Sequence, residues 1–285
     1  MSFTVNTRSG HALATSLIAA ALITASLAGP AAADTDTVKR AKSWTYQLQG
    51  DTGRVARSNA DVAVIDPDHA GAAEKFKHKR DGGKRAVLAY ISVGEVEEGR
   101  SYMKHGGRKF STGRTQGWEG NYAAKYWDPE WKEIVKARVK EAMDKGYDGV
   151  YLDRVDTYEN VKAPGGSKAE MVKLVEEVSR TAKSRKGNAA VIVQNGEELV
   201  NDERYARAID GIAKEDLYHG IHHDKRRNSS EEVSQAEKHL SRAKAKGKSV
   251  MVVEYLDDDD DEANSAKSRA RSKGFVPTTA RRELD

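Results

Sequence analysis

The chain has 285 residues, 38% of them hydrophobic, and Lys+Arg 48 nearly balances Asp+Glu 44 for a formal net charge of +4. That size suits one domain of about 250 residues, and a mixed surface without a dense basic run interleaved with aromatics argues against nucleic acid as a partner. Cysteine is absent, which excludes disulfide staples, thiolate catalysis and Cys-ligated zinc.

At the start of the chain Arg8 and His11 precede the apolar run ALATSLIAAALITASLA (12–28), and small residues follow in GPAAADTD. This is the pattern of a Sec-type signal peptide, residues 1–33, cut after Ala33 to leave a secreted or periplasmic chain, 34–285. Its Ala, Ser and Thr make the run weakly apolar for a bilayer span, so removal is expected over retention as an anchor. Beyond it, β-type runs occur at 44–49, 61–66, 86–94, 149–153, 190–195, 209–215, 249–255 and 275–277. Helical patterns fall between them at 70–80, 129–145, 167–186, 200–207, 230–246 and 262–273. The helix at 129–145 shows how these are built: Asp128 caps, Pro129 suits the first turn, Ile134, Val135, Val139 and Met143 form a stripe, and Gly146 ends it. Strand followed by helix, repeated along one domain, predicts an α/β fold, the (β/α)8 TIM barrel. The near-continuous apolar strands agree, because parallel strands covered on both faces lose alternation. HKRDGGKR (78–85) precedes a strand and reads as a turn, not a phosphate loop.

In such a barrel the site lies at the C-terminal ends of the strands. The polar residues just past the apolar runs are Asp66, Glu95, Asp153 with Asp156, Gln194 with Asn195, Glu215 with Asp216, and Glu254 with Tyr255. One carboxylate at a strand end is ordinarily a helix cap. Several at one mouth raise one another's pKa and are costly unless a ligand or a reaction uses them.

Three segments carry a family resemblance: VLAYISVGEVEEGRSY (87–102), WDPEW (127–131) and GYDGVYLDRVDTYE (146–159). Together they resemble the motif series of glycoside hydrolase family 114, the endo-α-1,4-polygalactosaminidase-like barrels once misnamed cysteinyl-tRNA synthetase-like. The resemblance implies a catalytic Asp after the fourth strand and a catalytic Glu after the sixth, which fall on Asp153 and Glu215. Glycosidic cleavage needs one ionised carboxylate and one protonated partner. Arg154 beside Asp153 is expected to hold it ionised, leaving Glu215 as the acid. A slip of register by one would put Asp216 at the mouth instead of Glu215, and Asp156 and Glu254 are the other carboxylates in reach of a role. The resemblance also implies an amino-sugar polysaccharide, of galactosaminogalactan type, as substrate and a retaining mechanism.

Tyr90, Trp127, Trp131, Tyr158, Tyr218 and Tyr255 offer flat faces for pyranose rings, and Asp66, Glu95, Arg100, Asp156 and Asn195 offer hydrogen bonds. No cofactor and no metal are expected, since carboxylate acid/base hydrolysis needs no ion, and the chain is expected to act as a monomer on its polymer. DDDDDE (257–262) lacks the Gly and spaced acids of a calcium loop and reads as a solvated lead into a helix. HGIHHDKRRNSS (219–230) reads as a solvated cationic loop on the rim, its adjacent His222 and His223 poorly spaced for zinc. The rival to a hydrolase is a non-catalytic polysaccharide-binding envelope protein on the same barrel.

Overall fold

The structure is a computed structural model that describes residues 1–4, 35–115 and 117–285. The expected signal peptide therefore lies, beyond its first four residues, outside the described residues. The barrel belongs to the unit 32–285. Its strands are β1 (Trp44–Gln47), β2 (Val62–Ile65), β3 (Ala86–Ser92), β7 (Gly149–Asp153), β8 (Ala190–Gln194), β9 (Gly211–Glu215), β10 (Ser249–Glu254) and β11 (Val276–Thr279), with β4 (Glu95–Glu97), β5 (Ser111–Arg114) and β6 (Asn121–Ala124) in an arm beside it. The helices are α1 (Thr35–Arg40), α2 (Gly53–Ala56), α3 (Pro67–Ala70), α4 (Pro129–Asp144), α5 (Ser167–Arg185), α6 (Glu203–Ala208), α7 (Ser230–Ala245) and α8 (Asp261–Ser272). Eight parallel strands pair in the order β1-β2-β3-β7-β8-β9-β10-β11. At the seam the Trp44 indole N–H donates to the Val276 carbonyl at 2.9 Å, and the N–H groups of Leu48 and Gln49 donate to Leu284 at 2.8 and 3.0 Å. The result is a nearly closed (β/α)8 barrel. Among the described residues no helix is long and apolar enough to cross a membrane.

Side-chain alternation divides the core in two. Trp44, Tyr46, Val62, Val64, Leu88, Tyr90, Tyr151, Ile192, Ala213, Met251 and Val253 fill the barrel interior. Their strand neighbours Ala63, Ile65, Val87, Ala89, Val150, Leu152, Val191, Val193, Ile212 and Val252 face the helices, against Val135 and Val139 of α4, Leu174 and Val178 of α5 and Leu240 of α7. Both faces are buried, which is why the strands read as unbroken apolar runs. The long helices begin where the caps predict: the Asp128 carboxylate accepts from the Glu130 N–H at 2.9 Å ahead of Pro129, and Ser229 and Glu232 close a capping box on α7.

Two expected helices are broken. The segment 70–80 is not one helix: α3 ends at Gly71, whose φ of 76° stops it, a 3-10 turn follows at Ala73–Phe76, and His78 pairs with Lys84. The segment 200–207 splits between a 3-10 turn, Glu197–Asn201, and α6, restarted by an Asp202 cap on the Arg204 N–H. The arm was not foreseen at all. Inserted between β3 and α4, it is a small antiparallel sheet in the order β4-β6-β5.

At the N-terminal end of the barrel, acids placed just before strands tie neighbouring strands together. Asp61 accepts from the Lys42 N–H at 2.9 Å, Asp148 from Val87 at 3.0 Å and Asp210 from Val191 at 3.0 Å. Asp148 is fully buried and also takes the ammonium groups of Lys77 and Lys186, each at 2.6 Å. Removing it strands two half-buried cations and one buried N–H. Asp148→Ala should therefore cost about 3 kcal/mol of stability, read by chemical denaturation, with a loss below about 1 kcal/mol contradicting the ion-pair account.

Candidate active site

Strand alternation also decides which strand-end residues face the mouth. Tyr90, Asp153, Gln194, Glu215 and Tyr255 continue the interior-facing rows and line one cleft at the C-terminal face. Asp66, Glu95, Glu97 and Arg100 line it as well, with Trp118 and Asn121 of the arm and Glu283 and Leu284 of the C-terminal segment. Glu254 is one residue out of step. It is buried, and its carboxylate accepts the N–H groups of Tyr218 and His219 at 2.9 and 3.1 Å, so it shapes the loop after β9 and does not face the mouth. Asp216, at φ 51°, turns away to Arg282 at 2.9 Å, and burial raises its pKa to about 6. Glu215 thus holds the mouth position, with no slip of register.

The two candidate carboxylates are held in like fashion. Asp153, buried on β7, accepts from the Tyr90 hydroxyl at 2.7 Å and from the Arg154 N–H at 2.7 Å. Glu215, half-buried on β9, accepts from the Asn195 side-chain amide at 2.7 Å and the Tyr255 hydroxyl at 2.9 Å. Below them Tyr151 donates to Gln194 at 2.5 Å, and Tyr46 packs on Tyr151 with ring centroids 5.4 Å apart. Burial first, then the charge of the carboxylates, pushes the phenols of Tyr90, Tyr151 and Tyr255 well above their ordinary value. They remain neutral donors, and the carboxylates rest on an aromatic floor that cannot hydrate them.

Asp153 departs from the sequence expectation. Burial, and next the facing charge of Glu215, push its carboxyl well above the usual range, and Arg154 offsets this only in part. The reason is the backbone. Arg154 adopts φ 60°, so its N–H reaches Asp153 while its guanidinium turns to Glu95 at 3.3 Å and Asp156 at 3.9 Å. Asp153 therefore loses its proton against its own burial and the facing charge of Glu215. A reaction that needs Asp153 ionised should gain kcat/KM as pH rises through a limb above the range of an ordinary Asp, because burial and the charge of Glu215 retain the Asp153 proton. A limb at the pKa of a free Asp would contradict this.

The other expected site residues divide. Glu95, 3% exposed, carries Asn121 at 3.1 Å and the Arg154 guanidinium, and burial raises its pKa. Arg100 is engaged by Asp66 at 2.6 Å, Asp68 at 2.9 Å and Glu97 at 2.8 Å, tying the arm to the end of β2. Asn195 and Asp156 stand behind Glu215, the Asn195 amide reaching Glu215 and, at 3.5 Å, Asp156. Four of the expected aromatics do not line the cleft. Trp127 packs edge-on to Tyr126 at 5.2 Å in the helix layer. Trp131 is buried, its indole N–H on the Val93 carbonyl at 2.9 Å. Tyr158 donates to Glu198 at 2.9 Å, away from the cleft, and Tyr218 is buried under the Arg269 guanidinium at 4.8 Å, between α7 and α8. Each lies on a helix or loop whose facing is set by packing, not by strand alternation.

The cleft residues missed are Tyr46, Leu48, Gln49, Glu97, Trp118, Asn121, Glu283 and Leu284, and beneath the cleft Tyr151, which donates to Gln194. Alternation along the strands would have exposed the two tyrosines. The arm and C-terminal segment carried no signal. The acidic run behaves as a loop: Asp257–Asp259 are exposed and Asp260 caps α8. In the histidine-rich loop 221–227 is exposed as expected, but His219 is buried beside Glu254 at 3.5 Å and Glu262 at 3.1 Å, while His222 pairs separately with Glu232. Among the described residues no three His, Cys, Asp or Glu side chains gather as a metal site.

A parallel barrel with two carboxylates from separate strand ends in one acidic cleft is the architecture of a glycoside hydrolase. This chain belongs to glycoside-hydrolase family GH114, whose family model matches residues 26–285. An uncharacterized protein of Methanocaldococcus jannaschii is 34% identical over 270 residues, spanning 85% of this chain and 77% of its own. The glycoside hydrolase domain of PelA from Pseudomonas aeruginosa superposes with a TM-score of 0.70 at 20% identity, covering 86% of this chain and 96% of that one. Aspergillus fumigatus Ega3, solved in complex with galactosamine, superposes with a TM-score of 0.66 at 19% identity, over 86% and 92%. At these identities the two superpositions describe a shared fold.

Proposed function

We propose that this chain hydrolyses an amino-sugar polysaccharide, an α-1,4-linked galactosamine polymer of galactosaminogalactan type, with Asp153 and Glu215 as its catalytic carboxylates. The observation that carries this is the pair itself: two carboxylates from different strands, each held by two hydrogen bonds, in one cleft. The cleft's charge supports the amino sugar. Its lining holds Asp66, Glu95, Glu97, Asp153, Glu215 and Glu283 against Arg100 and Arg154 alone, an excess of negative charge that favours a cationic ring. The galactosamine bound to the Aspergillus protein points the same way.

In this reading Asp153 must be ionised, against its burial, when substrate is bound; its Oδ attacks the anomeric carbon as the bond to the leaving oxygen breaks, and Glu215 delivers its proton to that oxygen. Glu215 then takes a proton from water, which attacks the glycosyl ester and releases Asp153 with net retention. Tyr90 and the Arg154 N–H steady the charge on Asp153, while Asn195 and Tyr255 orient Glu215. The purified chain, incubated with galactosamine, glucosamine and neutral-hexose polymers, should release fragments by mass from the first. Release from a neutral polymer alone would overturn the substrate, and binding without cleavage of any polymer would restore the non-catalytic reading. Proton NMR of the first-formed anomer tests retention. The same proposal places the enzyme outside the cytoplasm, exported by residues 1–33; mass spectrometry of exported protein that still carries them would overturn the cleavage.

A further inference from the structure

We propose that Trp118, at the tip of the arm, is a sugar-stacking subsite for a ring of the polymer distant from the bond being cut. The tip is the turn between β5 and β6. It is closed by Thr115 and Asn121, the Thr115 N–H donating to the Asn121 carbonyl at 2.9 Å, and the Glu98 N–H donates to Gly120 at 2.9 Å. Gly117 and Gly120, both at φ 82°, make the tight path possible. This turn leaves Trp118 45% exposed, yet the same indole lines the cleft that holds Asp153 and Glu215. The other tryptophans are covered: Trp44 and Trp131 are buried and Trp127 is half-buried in the helix layer. An indole held open to water at a cleft wall forgoes a large hydrophobic gain, which a pyranose ring laid on its face would recover.

The arm that carries that indole is braced at several points. Arg100 bridges Glu97 of β4 to Asp66 and Asp68 beyond β2. Tyr122 of β6 donates to Glu98 at 2.7 Å and lies under the Arg108 guanidinium at 3.9 Å. Asn121, three residues past Trp118, donates to Glu95, which in turn carries Arg154 beside Asp153. The platform is tied to the reacting centre through Asn121, Glu95 and Arg154 but, unlike a subsite beside the scissile bond, contributes no group to it. Its occupant is a pyranose of the same polymer, stacked through its apolar C–H face while its polar edge meets Asn121 and the acids of the cleft wall.

The inference rests on the amino-sugar reading only for the choice of probe. The test compares Trp118→Ala with wild type on galactosamine oligosaccharides, from the shortest that is cleaved to long chains. The expected result is a loss of kcat/KM of about tenfold or more on long chains, carried mainly by KM, and no change on the shortest. Trp118→Tyr should recover most of the loss, because it restores a flat face. In Glu215→Gln chain, which should bind without cutting, long oligosaccharides should quench or shift tryptophan emission in a way that Trp118→Ala abolishes. An equal loss on short and long chains would overturn the subsite in favour of a structural role, and an unchanged KM on long chains would overturn it outright. If wild type cuts only a neutral polymer, the amino-sugar reading fails, and the same length series on that polymer still decides the role of Trp118.

Discussion

Asp153→Asn and Glu215→Gln are each expected to lower kcat/KM by about 10³- to 10⁴-fold while leaving the fold intact. The change deletes an ionisable group and keeps its shape. An amide oxygen at 153 still accepts the Arg154 N–H, and an amide at 215 still meets Asn195 and Tyr255. Stability should not fall, and for Asp153→Asn the sign can be worked out. Burial and Glu215 raise the folded-state pKa of Asp153 above its unfolded value. The native chain then binds more protons than the unfolded chain between those two values, so stability declines as pH rises through that window. Asp153→Asn removes the group that titrates, and the decline should flatten. Denaturation midpoints across the acid range, with activity on the cleaved polymer, check both halves. Retained activity in either variant would move the catalytic assignment to another carboxylate of the cleft.

Gly94→Ala should also be damaging, about a hundredfold in rate, although Gly94 carries no chemistry. A Cβ at this position would stand 2.0 Å from the Arg154 carbonyl oxygen and 2.3 Å from Thr157 Oγ1. Three elements meet here: the Val93 N–H donates to the Asp153 backbone carbonyl at 3.0 Å, and the Gly94 carbonyl accepts from the Ala124 N–H of β6 at 2.8 Å and from the Thr157 hydroxyl at 3.2 Å. The clash is with the backbone carbonyl of Arg154, so that residue must shift, and its N–H, one peptide earlier, is one of the two donors that hold Asp153. A displacement of that carboxylate by about 1 Å costs about a hundredfold in rate, and the overpacking costs about 1–3 kcal/mol of stability. Gly99→Ala, on the same arm with no atom within 4 Å of its added methyl, is the control and should leave both unchanged. If the two variants behave alike, the close approach at Gly94 does not govern the site.

The sequence by itself determined the features that depend on local chemistry and short-range period. Apolar runs such as 86–94 and 190–195 announced strands buried on both faces, the Asp128-Pro129 pair announced α4, and the polar residue after each run announced the mouth. Asp153 and Glu215 were legible as polar residues at the ends of apolar runs and through the family resemblance; that both face inward follows from the alternation the folded strands show, two past interior-facing Tyr151 and Ala213. Only the tertiary structure decided what depends on distant partners. Arg154 looked like a cation for Asp153, but its guanidinium goes to Glu95 on the neighbouring strand end and offsets burial and Glu215 at Asp153 only in part. Trp127 and Tyr218 stood near strand ends in sequence yet turn into the helix layer, because a loop carries no fixed period to aim its side chains. The arm had no readable signal: strands as short as Glu95–Glu97 and Ser111–Arg114 are stabilised by pairing with β6 and by Arg100, not by their own residues. That arm, and the Glu283 and Leu284 that return from the far end of the chain to β1, wall the cleft through contacts between residues far apart in the chain. Local propensity cannot encode such contacts; they exist only once the barrel has brought those segments to one face.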